Sequence, residues 1–446
     1  MKRPFLGLIL PLILAAVGGT TFAWSQGDPP EPLHLDEAMR AAAVDSILTA
    51  LDEVYVFPEV ATAMGELVRG NLASGEYDEL DIAPEFAGRL TEDLQSISHD
   101  LHLHVDWLRP RPQVQGQELS DQEMEQRRLE RLRRNNFGFR EVKLMPGNVA
   151  YLKLDMFAHT PEAGPTAIAA MNFVGYADAV IFDLTENGGG SPSMIQLLTS
   201  YLVEEPTHLN SFYVRQSDET NQFWTQAYVP GPKLTEVPVY VLTSGRTFSA
   251  AEEFTYNLKN LERAIIVGAT TGGGAHPVTR KEYPGYQLSM SLPYGRAVNP
   301  ITGTNWEGTG IEPNIEVPVD QALDTAYLAA LKTLEETAEG DRKADLEWTI
   351  SGLEAQANPA PLSEAEMAAY AGQYGPRRVW VEDGSLWYQR EERGKFLLVP
   401  MGGGWFMLDG LDYFRIEFEQ DNKEQATGLI GHYSNGRQDQ NPRTDG

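Results

Sequence analysis

Three stretches of this sequence gather side chains able to do chemistry. The first is Val239-Tyr-Val-Leu-Thr-Ser-Gly-Arg-Thr-Phe-Ser249-Ala-Ala-Glu-Glu-Phe254, an apolar strand pattern running through a glycine turn into a helical pattern. Ser249 falls where the helix begins. There the free backbone amides favour negative charge, so a serine nucleophile would find its tetrahedral oxyanion stabilised. Ser249-Ala-Ala-Glu252 is equally the spacing of a capping box, and spacing alone leaves both readings open. The second stretch, Ala179-Val-Ile-Phe-Asp-Leu-Thr-Glu-Asn187-Gly188-Gly189-Gly190, is a buried strand ending in consecutive glycines. Such a turn brings bare amides close to a ligand, as an oxyanion hole, a phosphate cradle or a tight loop. It lacks the lysine of a P-loop and the spacing of a dinucleotide fingerprint, which weakens the phosphate readings. The third, His99-Asp100-Leu-His102-Leu-His104, holds three of the eight histidines in six residues. On an extended strand His102 and His104 would share a face. Zinc is the rival use, but no H-E-x-x-H is present and no matching cluster stands out, so no metal and no cofactor are expected. Of the scattered histidines, His276 follows the Gly272-Gly-Gly-Ala turn and could line the same cleft.

Composition narrows the chemistry further. The chain has 446 residues, 42% of them hydrophobic and 22% charged, enough to bury a core and to form two or three units. A net charge of −29 repels phosphate backbones and anionic lipid surfaces, so nucleic acid is not an expected partner. With no cysteine there are no disulfides, thiolate metal sites or cysteine nucleophile. Lys2 and Arg3, the apolar run Phe5–Val17 and the small residues up to Ser25 follow the order of a secretory signal. The stretch is short for a membrane span, with an uncleaved anchor as the alternative reading, and an extracytoplasmic protein, periplasmic or secreted, is expected, without stable membrane insertion once residues 1–25 are removed.

The elements that must position these residues follow from periodicity. Val44, Ile47, Leu48, Leu51 and Val54, then Val60, Met64, Leu67 and Val68, then Phe86, Leu90 and Leu94, outline three amphipathic helices of a small N-terminal helical domain over 33–96. Ser120-Asp-Gln-Glu123 opens a solvated, charge-dense helix. Over 97–335, β-branched runs at Val149–Leu154, Ala179–Leu184, Val237–Thr243 and Ala264–Val267 alternate with helix-length intervals, the texture of an α/β layer. A polar stretch suggests a linker over 336–360. Short apolar strands and the Asp383-Gly384 turn then indicate an antiparallel β module over 361–446, a barrel or sandwich.

Taken together, Asp183-Leu-Thr-Glu-Asn-Gly-Gly-Gly190, Thr243–Phe254, Val267-Gly-Ala-Thr-Thr-Gly-Gly-Gly274 and Gly308-Thr-Gly-Ile-Glu-Pro-Asn-Ile-Glu-Val317 resemble, in order and spacing, the tail-specific (C-terminal processing) serine protease family. Asp100-Leu-His102, Asn136-Phe-Gly-Phe139 and Met145–Tyr151 resemble the branch related to interphotoreceptor retinoid-binding protein. The resemblance spans roughly residues 35–335 and implies a ClpP/crotonase-like sheet with its helices. Two departures stand out. Members with a Ser-Lys dyad carry a lysine where this chain has Gly274, and the interval from Arg109 to Phe137 is too short for the PDZ module of many relatives. The tricorn-like members imply instead a Ser-His site with a supporting carboxylate. Carried onto this sequence, that site is Ser249 as nucleophile, His102 as base, Glu307 or Asp100 as the orienting acid, and the amides of Gly189 and Ala250 as oxyanion hole. Glu252 then reads as structural.

The resulting expectation is a secreted serine-type peptidase hydrolysing peptides or unfolded protein tails. The competing reading is a catalytically lapsed binding protein for apolar ligands such as retinoids or fatty acids. The first requires Ser249 and His102 to meet after folding, the second only a large apolar pocket.

Overall fold

A computed structural model describes residues 31–114 and 117–444; the expected signal segment, residues 1–25, lies outside the described residues. Three helices, Glu37–Val54, Pro58–Ser74 and Ala83–Ser98, follow the apolar faces read from the sequence. The Asp36 side chain caps the first by accepting the Met39 N–H at 2.8 Å, and Pro58 and Pro84 occupy first turns, where no amide donor is lost. Their buried faces do not form a core of their own. Ile47, Leu51, Phe86 and Leu90 pack in one cluster with Leu288, Met290 and Leu292 of a three-stranded antiparallel sheet, His104–Trp107, Leu288–Pro293 and Val278–Tyr283. A sequence boundary at 96 therefore cuts through one hydrophobic cluster, because the helices find their apolar partner nearly 200 residues downstream.

The sheet at the centre of the molecule has six strands in the order Ile315–Glu316, Ile265–Gly268, Val239–Thr243, Ala179–Asp183, Val149–Leu154, Phe139–Met145. All neighbours are parallel except the Phe139–Met145 and Val149–Leu154 hairpin. Strands buried on both faces explain the near-continuous apolar runs. Helices Thr160–Phe173, Pro192–Ser200 and Ala250–Asn260 cover one face through Leu152, Phe182, Val241 and Phe254. Helix Ala322–Glu335 covers the other through Tyr151, Ile181 and Leu242. The charged helix Asp121–Arg134 buries no residue and closes its capping box at Ser120, as its composition indicates.

Two expectations are corrected. Residues 336–360 are not a linker: Gly340–Ala357 is a helix whose Leu346 and Ile350 are buried against helix Ala322–Glu335. Its apolar residues stand at i, i+4 and i+7, a pattern masked by the polar residues before it. His102 does not lie on a strand with His104. It sits in the turn between helix Ala83–Ser98 and strand His104–Trp107, buried, whereas His104 is 40% exposed.

The C-terminal module holds eight antiparallel strands paired in chain order from Gly372 to Pro442. A bridge between Tyr374 and Arg443, with the Thr444 N–H donated to the Gln373 carbonyl at 2.8 Å, brings the last strand to the first and closes the sheet into a barrel. Phe406, Ile416, Leu429 and Tyr374 fill it. Among the described residues no helix is long and apolar enough to cross a membrane.

Candidate active site

The site is built at the carboxyl ends of the central parallel strands. Strand Val239–Thr243 is wholly buried and its chain leaves the sheet through Ser244–Phe248. Three bonds anchor this turn to the glycine-rich turn of the neighbouring strand: Ser244 Oγ donates to the Thr185 carbonyl at 2.5 Å, Thr247 Oγ1 to that of Leu184 at 2.8 Å, and the Phe248 N–H to that of Asn187 at 3.0 Å. The two segments singled out for chemistry are thus fastened to each other.

Ser249 begins helix Ala250–Asn260 at φ 55°, ψ −118°. An ordinary N-cap has extended backbone; Ser249 does not, although it closes a capping box with Glu252. Left-handed φ at a serine costs of order 1–3 kcal/mol and persists only where the surroundings impose it. Glu252 does the imposing. Its buried carboxylate accepts the N–H groups of Ser249 (2.9 Å), Gly273 (2.7 Å) and Gly274 (2.9 Å) and the Thr271 hydroxyl (2.5 Å). One carboxylate pins the Ser249 turn to the glycine turn beside it. Burial raises the Glu252 pKa, with those four bonds opposing it.

His102 lies against this assembly. Its ring stacks on Phe248 with centroids 4.6 Å apart. A Cβ added at Gly274 would fall 2.2 Å from Phe248 Cζ and 2.7 Å from His102 Cε1. Gly274 is bare because Phe248 and His102 fill the space that a side chain would need. Burial lowers the His102 pKa to about 4, with the Asp100 charge opposing, so the imidazole is neutral at pH 7. Its Nδ1 is buried without a hydrogen-bond partner among the described residues.

The acidic residues divide their roles. Asp100 Oδ1 accepts the backbone N–H of His102 at 3.0 Å, and Oδ2 pairs with His276 Nδ1 at 2.7 Å and accepts the Tyr55 hydroxyl at 3.3 Å. Asp100 thus fixes the main chain of His102 and not its ring. Glu307 Oε2 accepts the Ala275 N–H at 2.5 Å and stands 3.5 Å from His276 Nδ1, and its Oε1 is buried and unpaired. Burial, then the charge of Asp100, raises the Glu307 pKa to about 7. Burial acts to lower the His276 pKa, but the hydrogen bond and charge of Asp100 outweigh it and the net shift is upward.

Ligand atoms of Asp100, His102 and Glu307 lie within 4.8 Å of one another. Donors around a zinc ion at 2.0–2.2 Å stand about 3.5 Å apart, and Asp100 would have to release His102, His276 and Tyr55 to bind one. The set is better suited to orienting a base.

Gly189, at φ 106°, is where the two turns touch: a Cβ there would lie 2.7 Å from Ser249 Cβ and 2.9 Å from Ala250 N. Only glycine fits. Its amide is not free, however, because the Gly189 N–H is donated to Asn187 Oδ1 at 2.9 Å. The Ala250 N–H has no partner among the described residues.

The fold therefore brings Ser249, Gly189 and Ala250 together and places His102 against the residue preceding Ser249, with Asp100 and Glu307 behind it. The roles of three residues were not read from the sequence. His276, buried at 5% exposure, was noted only as able to line the cleft from its place after the glycine turn. Phe248 reads as an ordinary apolar residue. Asn187, fully buried, ties Leu154, Gly189 and Phe248 together; it stands in the glycine motif itself.

Residues 148–317 match the family model described as Peptidase family S41, and residues 33–133 match that of the N-terminal domain of Peptidase_S41 in eukaryotic IRBP. Together the two take in more than half of the chain. Among solved structures, a lipoprotein from Streptococcus agalactiae is 15% identical with a TM-score of 0.45, covering 68% of this chain and 98% of its own. The photosystem II D1 C-terminal processing protease is 18% identical with a TM-score of 0.33, covering 41% of this chain. The tricorn protease is 12% identical with a TM-score of 0.44, covering 67%. The chain spans 47% of the length of the D1 protease and 37% of that of tricorn.

Proposed function

The chain belongs to peptidase family S41, and from that premise we propose that it hydrolyses peptide bonds through Ser249, with His102 as its base in place of the lysine used elsewhere in the family. The observation that carries the assignment is the backbone of Ser249, held at φ 55° where an ordinary N-cap is extended. A cap gains nothing from that strain, whereas a nucleophile gains presentation of its hydroxyl beside the Ala250 N–H.

In this reading the neutral His102 takes the Ser249 proton as the hydroxyl attacks the scissile carbonyl, and returns it to the leaving amine. The orphaned His102 Nδ1 and Glu307 Oε1 supply each other's missing partner once substrate closes the site, and the carboxylate then stabilises the imidazolium. Asp100 and His276 hold the His102 turn from behind. The Ala250 N–H is one oxyanion donor, and Gly189 becomes the second when its amide turns from Asn187 to the developing charge, each worth on the order of 3 kcal/mol. The substrates are peptides or unfolded protein tails. The N-terminal 25 residues act as a secretory signal that delivers the enzyme outside the cytoplasm.

The test is hydrolysis of a fluorogenic peptide library by the wild type, Ser249→Ala and His102→Ala, with the mass of the exported chain read alongside. Activity lost in both variants supports the reading. Full activity in Ser249→Ala excludes it.

A further inference from the structure

A cleft of about 510 Å³ lies away from the catalytic residues, between helix Gly340–Ala357 and the C-terminal barrel. Its walls include Trp348, Leu353, Tyr327, Met407 and Tyr413, with Arg415 among them. Arg415 is 6% exposed, yet its guanidinium meets only neutral acceptors: Nη1 donates to Ser351 Oγ at 2.9 Å and Nη2 to the Trp348 carbonyl. The ring of Trp348 covers it at 4.0 Å. Gly352 leaves room for this approach, since a Cβ there would lie 2.8 Å from Nη2.

The other cation enclosed in the barrel shows the contrast. Arg377 is 1% exposed and pairs with Asp439 at 2.7 Å. Arg415 has no such anion among the described residues, and burial alone acts on its pKa, lowering it to about 10. A buried charge without a counter-ion is costly, and a ligand anion would remove that cost. The acids near the cleft, Asp345 and Asp412, stand at its exposed rim and would reject a polyanion. In a chain of net charge −29, an anion can settle only where a cation is locally desolvated.

We propose that this cleft binds a monocarboxylate with an apolar body, the carboxylate paired with Arg415 and the body lying on Trp348, Tyr327 and Met407. The site uses residues outside both matched family segments and does not depend on Ser249 being a nucleophile. A carboxylate with an apolar body arises as the free end of a peptide or as a fatty acid, and the two sources are separable.

The experiment is calorimetric titration of full-length Ser249→Ala protein, in which probe cleavage is blocked, with decanoate, N-acetyl-Leu-Phe and the amide of the same dipeptide. Saturable binding of either acid is expected, at least tenfold weaker for the amide than for the dipeptide acid if the peptide is bound, and at least tenfold weaker for the bound acid in Arg415→Met. Arg415→Lys, which keeps the charge, should recover part of it. Decanoate binding alone assigns lipid-type acids, dipeptide binding alone assigns peptide ends, and either supports the site. Should Arg415→Met fail to fold, Thr349→Trp, which fills the cleft from the rim of its helix, must weaken binding in its place. No saturable binding by either acid, or affinity indifferent to both substitutions, overturns the proposal.

Discussion

Ser249 and its neighbours allow the cap and nucleophile readings to be separated by stability as well as by rate. Because glycine adopts φ 55° without strain, Ser249→Gly should be inactive yet about 1 kcal/mol more stable than the wild type in chemical denaturation. An ordinary N-cap would instead lose a few tenths of a kcal/mol on the same change. His102 gives a second handle. A base whose pKa burial has lowered to about 4 stays deprotonated through mildly acid pH. The acid limb of kcat/KM should therefore fall near pH 4, and not near the usual histidine value of about 6.5. An inflection near pH 7 that vanishes in Glu307→Gln belongs to that carboxyl, whose pKa burial and Asp100 raise to about 7. The serine was legible as a choice between two roles, since sequence spacing fixes the helix start and not the backbone angle that decides between them. His276 was legible only as a residue able to line the cleft, and its pairing with Asp100, 176 positions away, was not.

At the scale of elements, the nucleophile helix carries two adjacent buried acids with different environments. Glu252 is held by four hydrogen bonds, so Glu252→Ala should release both turns, costing more than tenfold in kcat and destabilising the fold by about 3 kcal/mol or more. Glu253 is buried at 3% exposure, and burial raises its pKa to about 7 against the favourable influence of Asn210 and Asn257. The folded state thus holds this proton more tightly than the unfolded chain does. Its contribution to stability is fully present below pH 4.5 and is lost as pH rises through 7, on the order of 3 kcal/mol. Comparing Glu253→Gln with the wild type across that window should show the variant gaining relative stability as pH rises. Gly274→Ala tests the packed base directly: its methyl must displace Phe248 or His102, and kcat should drop at least tenfold. The four inner strands of the central sheet and most of the barrel were legible because each is an apolar run bounded by turn residues, whereas the edge strands Phe139–Met145 and Ile315–Glu316 carry no such run. Helix Gly340–Ala357 was missed because a polar lead-in hid the spacing of Leu346, Ile350 and Leu353.

For the molecule as a whole, that helix moves the point at which the barrel can be removed. A chain ending at Asn358 keeps Leu346 and Ile350 packed against helix Ala322–Glu335 and should fold and cleave a short peptide. One ending at Glu339 uncovers that face and should precipitate or melt markedly lower in a thermal scan. The proposed mechanism draws on groups from three distant parts of the chain, the turn holding His102, the segment leading to Ser249 and the loop of Glu307. The most direct test of that mechanism is reaction with a fluorophosphonate followed by peptide mass mapping. The account predicts a single adduct on Ser249 in the wild type, and little or none in His102→Ala under the same conditions. An adduct on another serine, or undiminished labelling of Ser249 without His102, would contradict it.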